Sequence, residues 1–209
     1  MALQPRSDYH ASMSLPDRGT ALALLHEFTQ SESLRKHALA VEAVMRAFAH
    51  RYAAEGRGAP DVDEHCWGLV GLLHDFDYER YPEAPDHPLK GSEILAERGY
   101  PEDFRRAILS HASYTGVTRD RLVEKVLFSV DELSGFVTAV ALVRPSRSLA
   151  EVDPKAVRKK LKDKAFARSV NREEVFQGIE ELGADFDAHV AFVIEAMREI
   201  AGELGLEGR

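Results

Sequence analysis

The sequence predicts an all-α fold of mostly antiparallel helices joined by short loops. Apolar residues recur three and four positions apart through most of the chain, which is the period of an amphipathic helix. No stretch alternates apolar and polar residues as a half-buried strand would, and Pro, Gly and cap residues punctuate the helical segments. The 209-residue chain is 44% hydrophobic, enough for one domain with a substantial core.

Residues 1–18 precede the first predicted helix and have the composition of a loose arm, with Pro5 and Pro16 among mostly polar residues. A short amphipathic helix is predicted over residues 20–29. Its inward side chains are Leu22, Leu25 and Phe28.

The second predicted helix is long. It begins at a serine cap, Ser31 or Ser33, and continues to about Ala54, where the segment 56–60 with its glycines and proline ends it. Its inward stripe consists of Leu34, His37, Val41, Val44, Met45 and Phe48.

A third predicted helix begins at Asp61 or Asp63 and ends with an imidazole and a carboxylate side by side, His74 and Asp75. His74 lies four residues after Val70 and therefore shares the inward face of an apolar run. A carboxylate at the end of a buried helix is costly unless something compensates its charge, and a metal ion supplies that compensation.

A loop rich in Pro, Asp and Tyr, residues 76–88, follows this pair and has the composition of an active-site loop. The next predicted helix opens at His87 and ends near Gly99. Another starts at Pro101, and its apolar face also carries His111.

A long helix over residues 121–143 carries Asp131 within an apolar stripe, and Pro145 stops it. The stretch 155–168 that follows is basic. Its charges form either a solvated helix face or a rim that attracts an anionic substrate. The last two predicted helices begin at the cap residues Asn171 and Asp185.

Composition excludes several classes of protein. The net charge of -8 argues against a general nucleic-acid binder and against a membrane-surface protein. The longest apolar stretch, residues 136–143, is too short to span a bilayer. Cys66 is the single cysteine, so no intramolecular disulfide is possible, which fits a cytoplasmic location.

Two further residues lie on apolar stripes where their chemistry is out of place: His37 on the second predicted helix and Asp131 on the long one. A core histidine is more often hydrogen-bonded than ligating, but a carboxylate in an apolar stripe is rarer because burying its charge is costly. Together with His74 and Asp75 they form a set of imidazoles and carboxylates, the ligand types that Zn, Fe, Mn and Ni bind.

The order His37, His74, Asp75, Asp131 on an all-α scaffold resembles the HD superfamily of metal-dependent phosphohydrolases. The resemblance covers residues 34–145 and rests on a short motif in a helical context. It implies that these four side chains hold one metal ion.

The resemblance also suggests how the chain is divided. An HD-type bundle of antiparallel helices would occupy residues 19–145 as the metal-binding domain. The arm of residues 1–18 precedes it. A helical C-terminal extension, residues 146–209, would pack on the same domain.

Two more histidines, His87 and His111, lie between the His-Asp pair and Asp131. Dinuclear members of the superfamily have two histidines in that interval, so the resemblance implies a second ion with Asp75 bridging. The expected ions are divalent transition metals: Fe, Mn, Ni, Co or Zn. The alternative interpretation is a mononuclear site, with His87 a solvated loop residue and His111 a core histidine.

The resemblance implies hydrolysis of a phosphomonoester or phosphodiester in a small, anionic, nucleotide-like substrate. Two neighbouring metal ions activate a shared water and clamp the charge of a phosphate, so no side-chain nucleophile is needed. Asp77 is a candidate to orient the water or take a proton. Lys90, one helical turn from His87, is a candidate to meet a phosphate oxygen. The plainer interpretations are a solvated loop acid and a surface lysine.

Two other functions stay open. A minority of dinuclear HD proteins are di-iron oxygenases acting on small organic or phosphonate substrates. They place a substrate-binding lysine soon after the His-Asp pair or after the last histidine. Tyr78 and Thr115 stand in those neighbourhoods here, which weakens the oxygenase hypothesis. The third hypothesis is a non-catalytic nucleotide-sensing domain, against which a complete ligand set argues.

Overall fold

The computed structural model describes residues 15–58 and 61–208, and these residues contain α-helices, two short 3-10 turns and no β-strand. The all-α prediction is therefore confirmed. The helices are α1 (Arg18–Phe28), α2 (Glu32–Ala54), α3 (Glu64–Leu73), α4 (Asp86–Glu97), α5 (Glu102–Leu109), α6 (Leu122–Leu142), α7 (Pro154–Leu161), α8 (Arg172–Glu181), α9 (Phe186–Arg198) and α10 (Ala201–Leu204).

Short polar side chains cap the helices at the predicted boundaries. Ser31 accepts a backbone N–H at the start of α2, and Asp63 does so at the start of α3. Asn171 and Asp185 cap α8 and α9 in the same way. Each cap satisfies an N–H that the helix itself leaves unpaired, which explains why these boundaries are legible in the sequence.

The start of the chain differs from the prediction of an arm over residues 1–18. Residues 1–14 lie outside the described residues, but Asp17 caps α1 and Arg18 is its first residue. The Arg18 guanidinium contacts the buried Glu42 carboxylate of α2 at 2.7 Å, so this end of α1 is fixed to the bundle. Within α1 the structure buries Leu24 and leaves Leu22 partly exposed, because the helix is rotated slightly from the predicted orientation.

A close approach of α2 and α3 places the first histidine of the site beside the second. A Cβ added at Gly71 would lie 2.9 Å from the Val41 carbonyl oxygen and 2.9 Å from a Met45 side-chain carbon. Only glycine permits this contact between the two helices. His37 is four residues before Val41, and His74 is three after Gly71, so the same crossing brings both imidazoles to one point.

The C-terminal helices pack on the same core as the rest of the bundle. α8 and α9 lie against α6, and one continuous cluster of buried apolar residues runs from α1 to the end of the described chain. The backbone N–H of Leu149 donates to the carbonyl of Leu206 at 2.9 Å, and the Ser148 hydroxyl donates to the carbonyl of Glu207. The chain end is thereby held against the segment that follows α6.

The basic stretch forms α7 and the turns after it. Lys155, Arg158 and Lys159 are exposed, and Arg158 pairs with Asp187 of α9 at 2.9 Å. Val157 and Leu161 supply the buried side of α7. The charged side of this helix is therefore solvated. Among the residues described, no helix has both the length and the apolar character needed to cross a bilayer.

Acid sensitivity is expected from His189, a buried histidine of α9. Its Nε2–H donates to the Ser129 carbonyl, and burial lowers its pKa to about 4. The unfolded chain, in which histidine titrates near pH 6.5, binds a proton that the folded protein refuses. Stability is therefore lost as the pH falls from about 6.5 to 4, by about 3 kcal/mol.

Urea unfolding of His189→Gln and of the parent protein between pH 7 and 4, with a chelator present, measures this effect. His50→Gln, which changes an exposed histidine of α2, is the matched control. The His189→Gln protein should show a shallower loss of stability at acid pH. Equal slopes in all three proteins would contradict the expectation.

Candidate metal centre

Four side chains from α2, the end of α3 and α6 converge at the predicted site. His37 Nε2 lies 3.2 Å from His74 Nε2 and 3.0 Å from Asp131 Oδ1. Asp75 Oδ2 lies 3.4 Å from His74 Nε2 and 3.7 Å from His37 Nε2. One potential ligand atom from each of the four lies within 4.8 Å of the others, so the set is compact enough for a single ion.

A second set forms on the other oxygen of the same carboxylate. Asp75 Oδ1 lies 3.2 Å from His87 Nε2 and 3.3 Å from His111 Nε2, and these two nitrogens are 3.2 Å apart. Both imidazoles are buried. The structure therefore brings all six predicted ligands together, with Asp75 shared between the two sets.

Contacts behind three of the histidines orient their rings. His74 Nδ1–H donates to the Gly71 carbonyl, His111 Nδ1–H donates to the Ile108 carbonyl, and His87 Nδ1–H donates to the Asp77 carboxylate at 2.9 Å. Because each acceptor is an oxygen, the proton belongs on Nδ1 and the lone pair of Nε2 faces the centre. Metal-binding histidines in proteins show this arrangement.

The charges around the centre favour a cation. Burial lowers the pKa of His74, but the charges of Asp75 and Asp131 outweigh it and hold that pKa well above its ordinary value. Burial raises the pKa of Asp75, but the charge on His74 and hydrogen bonds from three histidines lower it well below its ordinary range. Burial also opposes the charged form of His87, yet Asp75 and Asp77 raise its pKa to about 9.

Facing lone pairs on buried imidazoles repel each other unless a proton or a cation lies between them. Two ionised carboxylates in the same place also require positive charge. Nitrogen and carboxylate oxygen are the donors that divalent transition metals bind. The residues present therefore fit metal ions: His37, His74, Asp75 and Asp131 for one, and Asp75, His87 and His111 for another.

The structure places Asp77 behind the second set. Its carboxylate is fully buried, with Oδ1 on His87 Nδ1 and Oδ2 accepting the backbone N–H of Gly91 at 2.9 Å. Asp77 is absent from the residues that line the cavity of the centre. Its contacts are those of a residue that positions His87, which differs from the predicted role of orienting the water or taking a proton.

Lys90 is not brought to the centre. Its ammonium is exposed and lies 3.5 Å from Glu93, and the residue does not line the cavity. The backbone at His87 is extended, with ψ 136°, and Pro88 is also non-helical. The spacing in the sequence suggested one helical turn between the two residues, but the extended backbone breaks that turn. The position of Lys90 therefore does not support the predicted contact with a phosphate oxygen.

Gly91→Ala is expected to lower the metal affinity of the second set and to leave that of the first set unchanged. A Cβ at this position would lie 2.6 Å from Asp77 Cγ, closer than such atoms approach in proteins, so we expect the Asp77 carboxylate to shift and its contact with His87 to weaken. Loss of a residue that orients a metal-binding histidine typically lowers metal affinity by about 10- to 100-fold. We expect that loss for one ion per chain, measured by metal titration, with the other ion retained.

Leu89→Ala, an exposed position two residues earlier in α4, is the control for that substitution. Asp77→Asn tests the same contact without changing the backbone and should resemble Gly91→Ala. Unchanged affinity for both ions in the two variants would show that His87 does not depend on Asp77.

A cavity of about 310 Å³ opens onto both sets and exposes residues that the sequence did not indicate. Tyr114 donates its hydroxyl to the His87 carbonyl at 2.6 Å. Burial, and then the charge of Asp131, raise the pKa of Glu132 to about 7. Glu174 reaches the cavity from α8. Glu132 directly follows Asp131, a predicted ligand, so the sequence offered a signal for it. The place of Glu174 depends on how α8 packs against α6, for which the sequence offered no signal.

Comparison with known proteins agrees with this geometry. Residues 34–134 match the family model described as HD domain. That segment begins in the first turn of α2, ends within α6 and contains all six residues of the two sets. No curated protein and no solved structure matches the chain.

Proposed function

We propose, from the premise that residues 34–134 form an HD domain of the metal-dependent phosphohydrolase superfamily, that this protein hydrolyses a phosphomonoester or phosphodiester. The substrate would be small and anionic, and two divalent transition-metal ions would be the cofactors. A cytoplasmic location is part of the proposal. The observation that carries it is the pair of ligand sets that share Asp75.

Two ions bound at these sets would supply an activated water and neutralise the charge of a phosphate. The carboxylate of Asp75 presents one oxygen to each set, so it fixes the spacing between them. Asp77 holds the ring of His87, and the Gly71 carbonyl holds the ring of His74. These contacts reduce the movement of the ligands when a substrate enters.

The cavity leaves room for a phosphate, and its lining residues determine which groups would surround that phosphate. Leu34 and Ala112 form apolar parts of its wall, while Tyr78 and Tyr114 place their rings at its edge. Cys66 is not among the lining residues, and burial raises the pKa of its thiol to about 11, so it is no thiolate nucleophile near neutral pH. This arrangement suits attack by water.

A panel of phosphomonoesters and phosphodiesters, assayed with Mn, Fe, Ni, Co and Zn in turn, tests the proposal. We expect metal-dependent release of phosphate or cleavage of a diester, abolished by a chelator and restored by added metal. A silent panel together with oxygen consumption by the di-iron form on an organic substrate would replace hydrolysis by the oxygenase alternative. Nucleotide binding without turnover of any kind would indicate a sensing domain.

A further inference from the structure

A groove of about 860 Å³ adjoins the cavity of the metal centre. The two share three lining residues, Leu34, His37 and Gly135, so the groove lies directly beside the metal centre. The groove by itself is of the size that proteins use to enclose small organic ligands. The substrate groove, as we call it, is also lined by Thr138, Ala139, Leu142, Val170, Leu204 and Leu206.

Aliphatic side chains supply the apolar part of the wall of the substrate groove, and Ser33, Thr138 and Ser169 add hydroxyl groups. Leu204 and Leu206 offer buried methyl groups, and Ala139 lies one turn beyond Gly135 on α6. Among the described residues that line it there is no Phe, Tyr, Trp, Asn or Gln. Proteins commonly bind nucleobases by stacking on aromatic rings and by hydrogen bonds to base edges. The substrate groove therefore suits an aliphatic chain better than a nucleobase.

The charges along the substrate groove suit an anionic amphiphile. Lys36 and Arg147 line it together with one acid, Glu32, which pairs with Lys36 at 2.7 Å. The guanidinium of Arg147 makes no hydrogen bond or ion pair with any described residue. One positive charge is thus left to attract an anion entering the groove.

The backbone gives a second, independent indication that the substrate groove is a functional site. Arg147 has φ 53° and Ala167 has φ 42°, and both line the groove. Within the described part of the chain they are the two non-glycine residues with positive φ. Left-handed backbone at such residues is strained and is concentrated at functional sites, where surrounding structure maintains it.

We propose that the substrate is a phosphate ester of an extended aliphatic alcohol, with its phosphate at the metal centre and its chain in the substrate groove. The proposal rests on the proposed function, because it assigns the phosphate to the metal centre. It goes further by naming the chemical class of the alcohol. The nucleotide-like substrate expected from the family resemblance becomes the competing class.

The test uses the full chain loaded with metal and a series of n-alkyl phosphates of increasing length. Each methylene that enters an apolar groove should raise kcat/KM by about fourfold until the groove is filled. p-Nitrophenyl phosphate serves as the short reference substrate, and nucleoside monophosphates represent the competing class. Titration calorimetry with n-alkylphosphonates, which have no ester bond to hydrolyse, measures binding apart from turnover.

Ala139→Phe places a bulky ring in the substrate groove from α6 and changes none of the six predicted metal ligands. Its metal content and melting temperature are checked first, and Ala191→Phe at an exposed position of α9 is the matched control. We expect Ala139→Phe to lose the dependence of kcat/KM, and of alkylphosphonate affinity, on chain length. The Ala191→Phe protein should keep the full dependence.

The outcomes separate the two proposals. If p-nitrophenyl phosphate is hydrolysed but kcat/KM is flat along the alkyl series, or nucleoside monophosphates are preferred, the substrate class is wrong and the hydrolase function stands. If no ester is hydrolysed but alkylphosphonates bind more tightly with length, and Ala139→Phe abolishes this, the groove assignment stands and the hydrolase function is wrong. Absence of both effects overturns both proposals.

Discussion

Asp75→Ala is expected to release both metal ions and to lower turnover by more than about 1,000-fold. Asp75 is the one residue in both ligand sets, with Oδ2 facing His74 and Oδ1 facing His87 and His111. A metal ion supplies several kcal/mol of transition-state stabilisation, and each 1.4 kcal/mol corresponds to about tenfold in rate. Removing the shared carboxylate takes away that stabilisation together with the geometry between the ions.

Elemental analysis of the purified variant, together with phosphoester turnover, measures this effect. Asp86→Ala is the control, because it removes an exposed carboxylate from the loop side of the same region. Asp75→Asn keeps the shape of the side chain and removes only its charge, so it separates loss of ligation from loss of packing. Undiminished metal in Asp75→Ala would disprove the assignment of this residue as a ligand.

The second large effect is expected for the pair His87 and His111. Alanine at either position should leave one ion per chain, held by the set that contains His37 and Asp131, and should lower turnover steeply. The Nε2 atoms of both imidazoles face Asp75 Oδ1 and each other. These contacts indicate no role for either Nε2 atom other than metal binding.

Metal stoichiometry and turnover of His87→Ala and His111→Ala, with helicity followed by circular dichroism, test this expectation. His50→Ala removes an exposed histidine of α2 and should change neither quantity. Near-normal turnover in both variants, with the metal content of the parent protein, would mean that the centre is mononuclear and these two histidines are structural.

The sequence predicts the first ligand set well because its members violate a strong pattern. His37 and Asp131 occur in apolar helical stripes, where burial of a polar side chain needs a partner. His74 and Asp75 end a third stripe. Since each helix has few ways to pack its apolar side, the polar residues of the three helices face one interior, and His37 lies within hydrogen-bond distance of both His74 and Asp131.

The contacts that hold the His87 ring in place could not be predicted from the sequence, for physical reasons. The position of Asp77 depends on the path of the loop that follows α3, and its approach to the backbone depends on the missing side chain of Gly91. Helical spacing also misplaced Lys90, because the chain is extended at His87. In irregular segments, the path of the chain and the direction of each side chain depend on tertiary packing. The spacing of apolar residues along the sequence does not specify that packing.

His37 and Asp131 are separated by 94 residues along the chain and meet at 3.0 Å. A metal ion between them would act as a cross-link in a protein whose single cysteine rules out an internal disulfide. The fold has already closed this loop, at a chain-entropy cost of about 4 to 5 kcal/mol, so these donors bind an ion far more tightly in the folded chain than in the unfolded chain. Chelation is then expected to lower the melting temperature of this bundle by roughly 10 °C, so calorimetry of the intact protein reports metal occupancy before any substrate is known.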